Sequence, residues 1–214
     1  MPLPQTRNEM EALLAGALAD ALAPLGFARV AATPRGEAWD CLLRMNALGT
    51  QCLVPFVWQR DEYDESAGYT CDIWLEVRDK RVEHVIQKFT PHEANHPTAR
   101  LKFSTFVGER DLVVDSPAAL KAFAAKAKAL LSDLLPRTED MAQLDALVNG
   151  DQEELDFMTT LTSFAPLVIA YLGRNPRFDS FVMRADQRMA PDPDNAVSAS
   201  IQIAVYLRTR VRLG

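Results

Sequence analysis

The sequence predicts an α+β fold: an antiparallel meander sheet packed against an N-terminal helix and a C-terminal helical bundle. Three observations predict it. Asp40–Ala47, Gln51–Arg60 and Tyr69–Arg78 alternate in polarity and are separated by turn residues, the period of half-buried strands. Asn8–Leu25, ahead of them, has helical spacing, and from Asp115 onward the hydrophobic period changes to 3.6 residues. One α+β unit over 1–214 is the simplest arrangement, sheet-rich over about 1–114 and helical over about 115–214, because nothing near Asp115 resembles a flexible linker.

In the opening helix Leu13, Leu14, Ala17, Leu18, Ala21 and Leu22 share one side. Thr6 with Glu9 forms a capping box, and Pro24 and Gly26 stop the helix. Phe27–Ala32 is a short candidate strand and Pro34-Arg35-Gly36 a turn. In Gln51–Arg60 one face carries Cys52, Val54, Phe56 and Trp58 and the other Leu53, Pro55, Val57 and Gln59, which predicts a strand covered on two sides. Pro55 lacks a backbone donor and points to a bulge or an edge. In Tyr69–Arg78, Tyr69, Cys71, Ile73, Leu75 and Val77 face one way, and Thr70, Asp72, Trp74 and Glu76 the other.

Arg81–Phe89 fits helical spacing better than a strand, and Leu101–Val107 alternates again, with Leu112–Val114 as a further short strand. Ser116-Pro117 starts a helix that Pro136 ends, and Thr138 with Glu139 and Asp140 opens another that stops at Asn149-Gly150. Asp151 with Glu154 is a second capping box, leading into Leu155, Met158, Leu161 and Phe164, with Pro166 set to kink or split that helix. Asn175-Pro176 starts one more, followed by the linker Pro191–Asn195. Ala196–Leu213 fits a strand and a helix alike; the Asp194/Asn195 cap and the helical neighbours favour the helix.

Hydrophobic residues at 48% and charged residues at 24% are ordinary globular composition. A net charge of −6 weighs against a general nucleic-acid binder, since phosphate binding wants a basic surface. Met1–Thr6 shows no signal-peptide pattern, and Phe164–Leu172, the longest apolar stretch, is interrupted by Pro166, so no membrane span is expected. Three cysteines, Cys41, Cys52 and Cys71, without CxxC spacing, read as reduced, buried strand thiols. The expected location is the cytoplasm.

His92-Glu93-Ala94-Asn95-His96 matches the HExxH pattern of zinc proteases, in which two histidines one helical turn apart bind the metal and the glutamate activates its water. On that reading His92 and His96 hold zinc in a hydrolase. Pro91 and Pro97, which disfavours a helical conformation at His96, argue instead for a loop. No Ser lies in a GxSxG elbow and no Gly-rich phosphate loop occurs.

The alternative to chemistry is binding. Asp61, Glu62, Asp64 and Glu65 place four carboxylates in five positions, which reads as a solvated hairpin tip or, alternatively, as an acidic docking surface for a protein partner of unknown identity. Trp74 sits in the more polar phase of its strand, beside Trp39 and Trp58 in the others. Arg184, Arg188, Arg208, Arg210 and Arg212 form the one cationic concentration. A third possibility is a small-ligand carrier with its pocket between the sheet and the helices. A non-enzymatic interaction protein without a cofactor is the reading these features favour, with the zinc hydrolase as the alternative.

Leu25-Gly26-Phe27 after the first helix, the strands around Trp39, Trp58 and Trp74, and the helix leading to Leu134-Leu135-Pro136 resemble a bacterial family of unknown function. In that family a helix ending in Gly-Phe precedes an antiparallel meander and C-terminal helices. The resemblance implies this fold and a small cytosolic accessory domain without a known active site.

Overall fold

The computed structural model describes residues 3, 6–30, 41–59, 68–93, 95–108, 112–150, 158–159, 164–188 and 198–211. The strands are Ala28–Val30 (β1), Cys41–Met45 (β2), Gly49–Gln59 (β3), Tyr69–Asp79 (β4), Ala99–Lys102 (β5), Val113–Val114 (β6) and Met158–Thr159 (β7). Among the described residues they form one antiparallel sheet in the order β1-β2-β3-β4-β5-β7, with β6 beside β5 on β4. The helices are Arg7–Leu22 (α1), Lys80–Phe89 (α2), Phe103–Val107 (α3), Pro117–Leu134 (α4), Met141–Asn149 (α5), Ala165–Leu172 (α6), Phe178–Arg188 (α7) and Ala199–Arg210 (α8). The fold is therefore α+β, with helices at both ends of the chain around an antiparallel meander.

Local chemistry sets several boundaries as expected. The Thr6 hydroxyl accepts from the Glu9 backbone N–H at 3.3 Å and donates to the Glu9 carboxylate at 2.7 Å, closing the capping box of α1. Gly26, at φ 85°, takes the left-handed conformation that lets the chain turn out of the helix. Ser116 caps α4 by accepting from Ala119 N–H at 3.2 Å, with Pro117 at its first position.

One cluster of buried apolar side chains runs through both parts of the chain. It takes Met10, Leu14, Leu18 and Leu22 from α1, and Leu53, Val57, Cys71, Ile73, Leu75 and Val77 from the two central strands. The helical part adds Phe123, Leu131, Leu144, Val168 and Leu207, among others. A smaller cluster of Cys41, Cys52 and Val54 lies on the opposite side of the sheet, where alternation sends the other half of each strand. All three thiols are buried and none is in a disulfide.

Four expectations are corrected. Leu101–Val107 is not a strand: β5 ends at Lys102 and α3 takes over at Phe103. The Asp72 carboxylate reaches across from β4 and accepts from the Ser104 N–H at 3.0 Å and its hydroxyl at 2.5 Å. That capping group is remote in sequence, so local periodicity could not show it. Second, Met158 does not lie in a helix but in β7, paired with Leu101, while Asp151 and Glu154 lie outside the described residues. Pro166 accordingly falls in the first turn of a separate α6, where a missing N–H costs nothing.

Third, α7 begins at Phe178 rather than at Pro176. The Asn175 side chain accepts from Arg177 N–H at 2.8 Å and holds the preceding turn. Pro55 makes no bulge, being in unbroken register with Ile73 of β4, and it has the edge position expected of it on its other side, beyond the described end of β2. Ile73 and Cys71 direct their N–H groups away from β3, to Asp72 and Leu112 respectively, so Pro55 and Ile73 are a non-hydrogen-bonded pair. The donor that proline lacks points toward the β2 side, past the end of that strand at Cys41. Fourth, the ambiguous C-terminal stretch is helical over Ala199–Arg210, as favoured, but its cap is Ser198 and not Asp194 or Asn195.

Candidate binding face

The register of β2 to β5 arranges the sheet face opposite the main core in rows. Leu43, Cys52, Glu76 and Arg100 form one row, and Val54, Trp74 and Lys102 the next. Phe56 with Asp72, then Trp58 with Thr70, follow toward the β3–β4 end. The polar phase read from β4 is thus one coherent surface, and Trp74 lies on it.

Its aromatic part is a ladder. Trp58 stacks on Phe56 with ring centroids 5.9 Å apart, and Phe56 meets Trp74 at 4.1 Å. Trp58 is 42% exposed, whereas Trp74 is half-buried because the Arg100 guanidinium lies over its ring at 4.1 Å. The outward-phase tryptophan picked out by alternation is therefore the covered one, and Trp58 is the ring open to contact.

Its charged part is self-satisfying. The buried Glu76 carboxylate accepts from Arg100 at 2.5 and 3.2 Å and lies 3.7 Å from Arg78. Arg78 also reaches the Glu83 carboxylate at 2.9 Å and the Asn95 carbonyl at 3.2 Å. Asp72 accepts from Ile73 N–H and both donors of Ser104, with Lys102 3.6 Å away. Such pairing lets two carboxylates, Asp72 and Glu76, sit on a largely buried face. Among the described residues two buried donors have no hydrogen-bond partner, the indole N–H of Trp74 and Nε of Arg78. Sequence reading missed Arg78 and Arg100 as members of this face. Alternation places Phe56 in phase with Trp58, but that their face is continuous with that of Trp74, and that Arg100 joins it, is legible only from the register across the strands.

Asp61, Glu62, Asp64 and Glu65, like Trp39, lie outside the described residues. The HExxH segment is a 3₁₀ turn over Pro91–Glu93 followed by a turn at Asn95 and a bend at His96, not the α-helix a shared histidine face requires. The His92 side chain is 79% exposed and its Nε2 lies 4.0 Å from Glu93. Among the described residues no group of three or more His, Cys, Asp or Glu is placed to hold a metal ion.

The late arginines scatter over a helix: Arg208 pairs with Asp179 and lies over Phe178 at 5.4 Å, and Arg184 lies over Phe181 at 4.8 Å. Arg212 lies outside the described residues. No helix among the described residues is long and apolar enough to cross a membrane. Compared with known proteins, the chain matches no family model, no curated protein and no solved structure.

Proposed function

We propose that the protein is a non-enzymatic binding protein that docks another protein at the Trp58 end of the second sheet face. Trp58 carries the reading. It is a large ring, 42% exposed and held rigid against Phe56, on a face whose own charges are already paired. Interface anchors are typically of this kind, since a fixed aromatic surface loses little entropy on contact. The unpartnered donors of Trp74 and Arg78 support it, because broken local rules concentrate where a chain serves something other than stability.

The partner's chemistry follows from charge. The protein carries −6 overall, and Asp61, Glu62, Asp64 and Glu65 come three to seven residues after Trp58, which favours a basic surface. The family resemblance implies a cytoplasmic accessory role, and the protein's acidity adds an immunity-like one, masking a basic partner. The test is affinity capture from native lysate with wild type, Trp58→Ala and Leu13→Ala, the last removing an exposed side chain on α1. A specific basic protein retained by wild type and Leu13→Ala but lost from Trp58→Ala is the expected result. Equal retention by all three would overturn the assignment of the site.

A further inference from the structure

The two thiols of the smaller apolar cluster are neighbours across a strand pair. Leu42 faces Leu53 and Leu43 faces Cys52, which puts Cys41 and Cys52 on the same side of the sheet, one row apart on the diagonal. Both are fully buried in the cluster they form with Val54, and the Cys52 thiol is hydrogen-bonded to that of Cys41. Cys71 is a built-in reference: it projects from β4 into the main core, on the other side of the sheet.

We propose that Cys41 and Cys52 are a redox modification site, closing to an intramolecular β2–β3 disulfide when the protein meets a peroxide. One sulfur attacks the peroxide, breaking its O–O bond and becoming a sulfenic acid as the first water leaves. The second sulfur then displaces the sulfenic oxygen as the second water, and the S–S bond forms. Each sulfur is oxidised by one electron, the peroxide is reduced by two, and the two thiol protons leave in the waters.

Diagonal partners have Cα atoms about 7–8 Å apart, so closure to a bond of about 2.05 Å needs β2 to slide along β3 out of its present register. The fold permits this at the sheet edge, where among the described residues β2 is followed by the three residues of β1, two of them exposed. Burial raises the Cys52 thiol well above its ordinary range, and the Cys41 thiol and the Glu76 carboxylate add to it, so the reaction is slow and gated by edge opening. The staple would tie β2 to β3 on the face that carries Trp58, and it stands whether or not that face binds a partner.

The test treats the native full-length protein with hydrogen peroxide, then unfolds and alkylates it for intact mass and peptide mapping. The expected product is monomeric and two hydrogen atoms lighter, with one alkylated thiol in place of three, a Cys41–Cys52 crosslink and reversal by dithiothreitol. Cys71→Ala keeps the crosslink; Cys52→Ala and Cys41→Ala, each checked for native circular dichroism, lose it. Three alkylatable thiols after treatment, oxygen addition without a crosslink, or a bond involving Cys71 would overturn the proposal.

Discussion

Asp72 shows how one side chain can set a backbone path. Its carboxylate satisfies three donors, from Ile73 and Ser104, in the gap on β4 between β5 and β6. Asp72→Ala leaves those donors buried and unpaired, and its expected cost is about 2–4 kcal/mol, read from chemical denaturation. Lys102→Ala, removing an exposed partner at 3.6 Å, is expected to change stability by less than about 1 kcal/mol.

Beside it, burial and the Asp72 charge push the Cys71 thiol up to about 12. Between the ordinary thiol value, about 8.5, and that raised value the unfolded chain ionises while the folded one does not. Stability from this group is therefore intact below about 8.5 and is lost as pH rises toward 12. Alkylation of native protein at mildly alkaline pH is expected to leave Cys71 and Cys52 untouched, with full labelling only on unfolding. Rapid native labelling of either would contradict their placement.

Among the elements, those with local signals were legible and those held by remote partners were not. The Thr6 cap with Glu9, Ser116-Pro117 and the alternation of β3 and β4 are local, and α1, α4 and the central hairpin follow from them. Helix α3 owes its start to a carboxylate thirty-two positions away, and β7 exists because β5 offers it an edge. The candidate face was legible in half: phase placed Trp74, Asp72 and Glu76 together, but Arg100 belongs to it only through the pairing of β5 with β4.

Two glycines separate local from remote constraint in the same way. Gly16 lies inside α1 with its nearest neighbour for an added Cβ at 3.9 Å, so Gly16→Ala is expected to stabilise by up to about 1 kcal/mol. Gly49 opens β3 where a Cβ would meet the Arg78 carbonyl at 2.4 Å, so Gly49→Ala is expected to destabilise by about 2 kcal/mol. Thermal melts of both variants check the pair, and a stabilising Gly49→Ala would contradict the β3–β4 register.

At the scale of the whole molecule, the described helices pack a continuous core on one side of the sheet, and among the described residues the other side carries a small apolar cluster, paired charges and an aromatic ladder. That division is why the binding reading rests on Trp58 rather than on the histidines, whose segment is a turn at the end of α2. It also explains why composition and motif said little about function. An interface of this kind is a surface assembled from four strands, and no stretch of sequence contains it.

The binding reading is tested most directly by photo-crosslinking in native lysate, with a benzophenone amino acid placed at position 70, directly opposite Trp58 on the same face, and, separately, at position 13. A discrete adduct with one basic protein from position 70 and none from position 13 is the expected result. No adduct at position 70, or the same adducts from both positions, would contradict it.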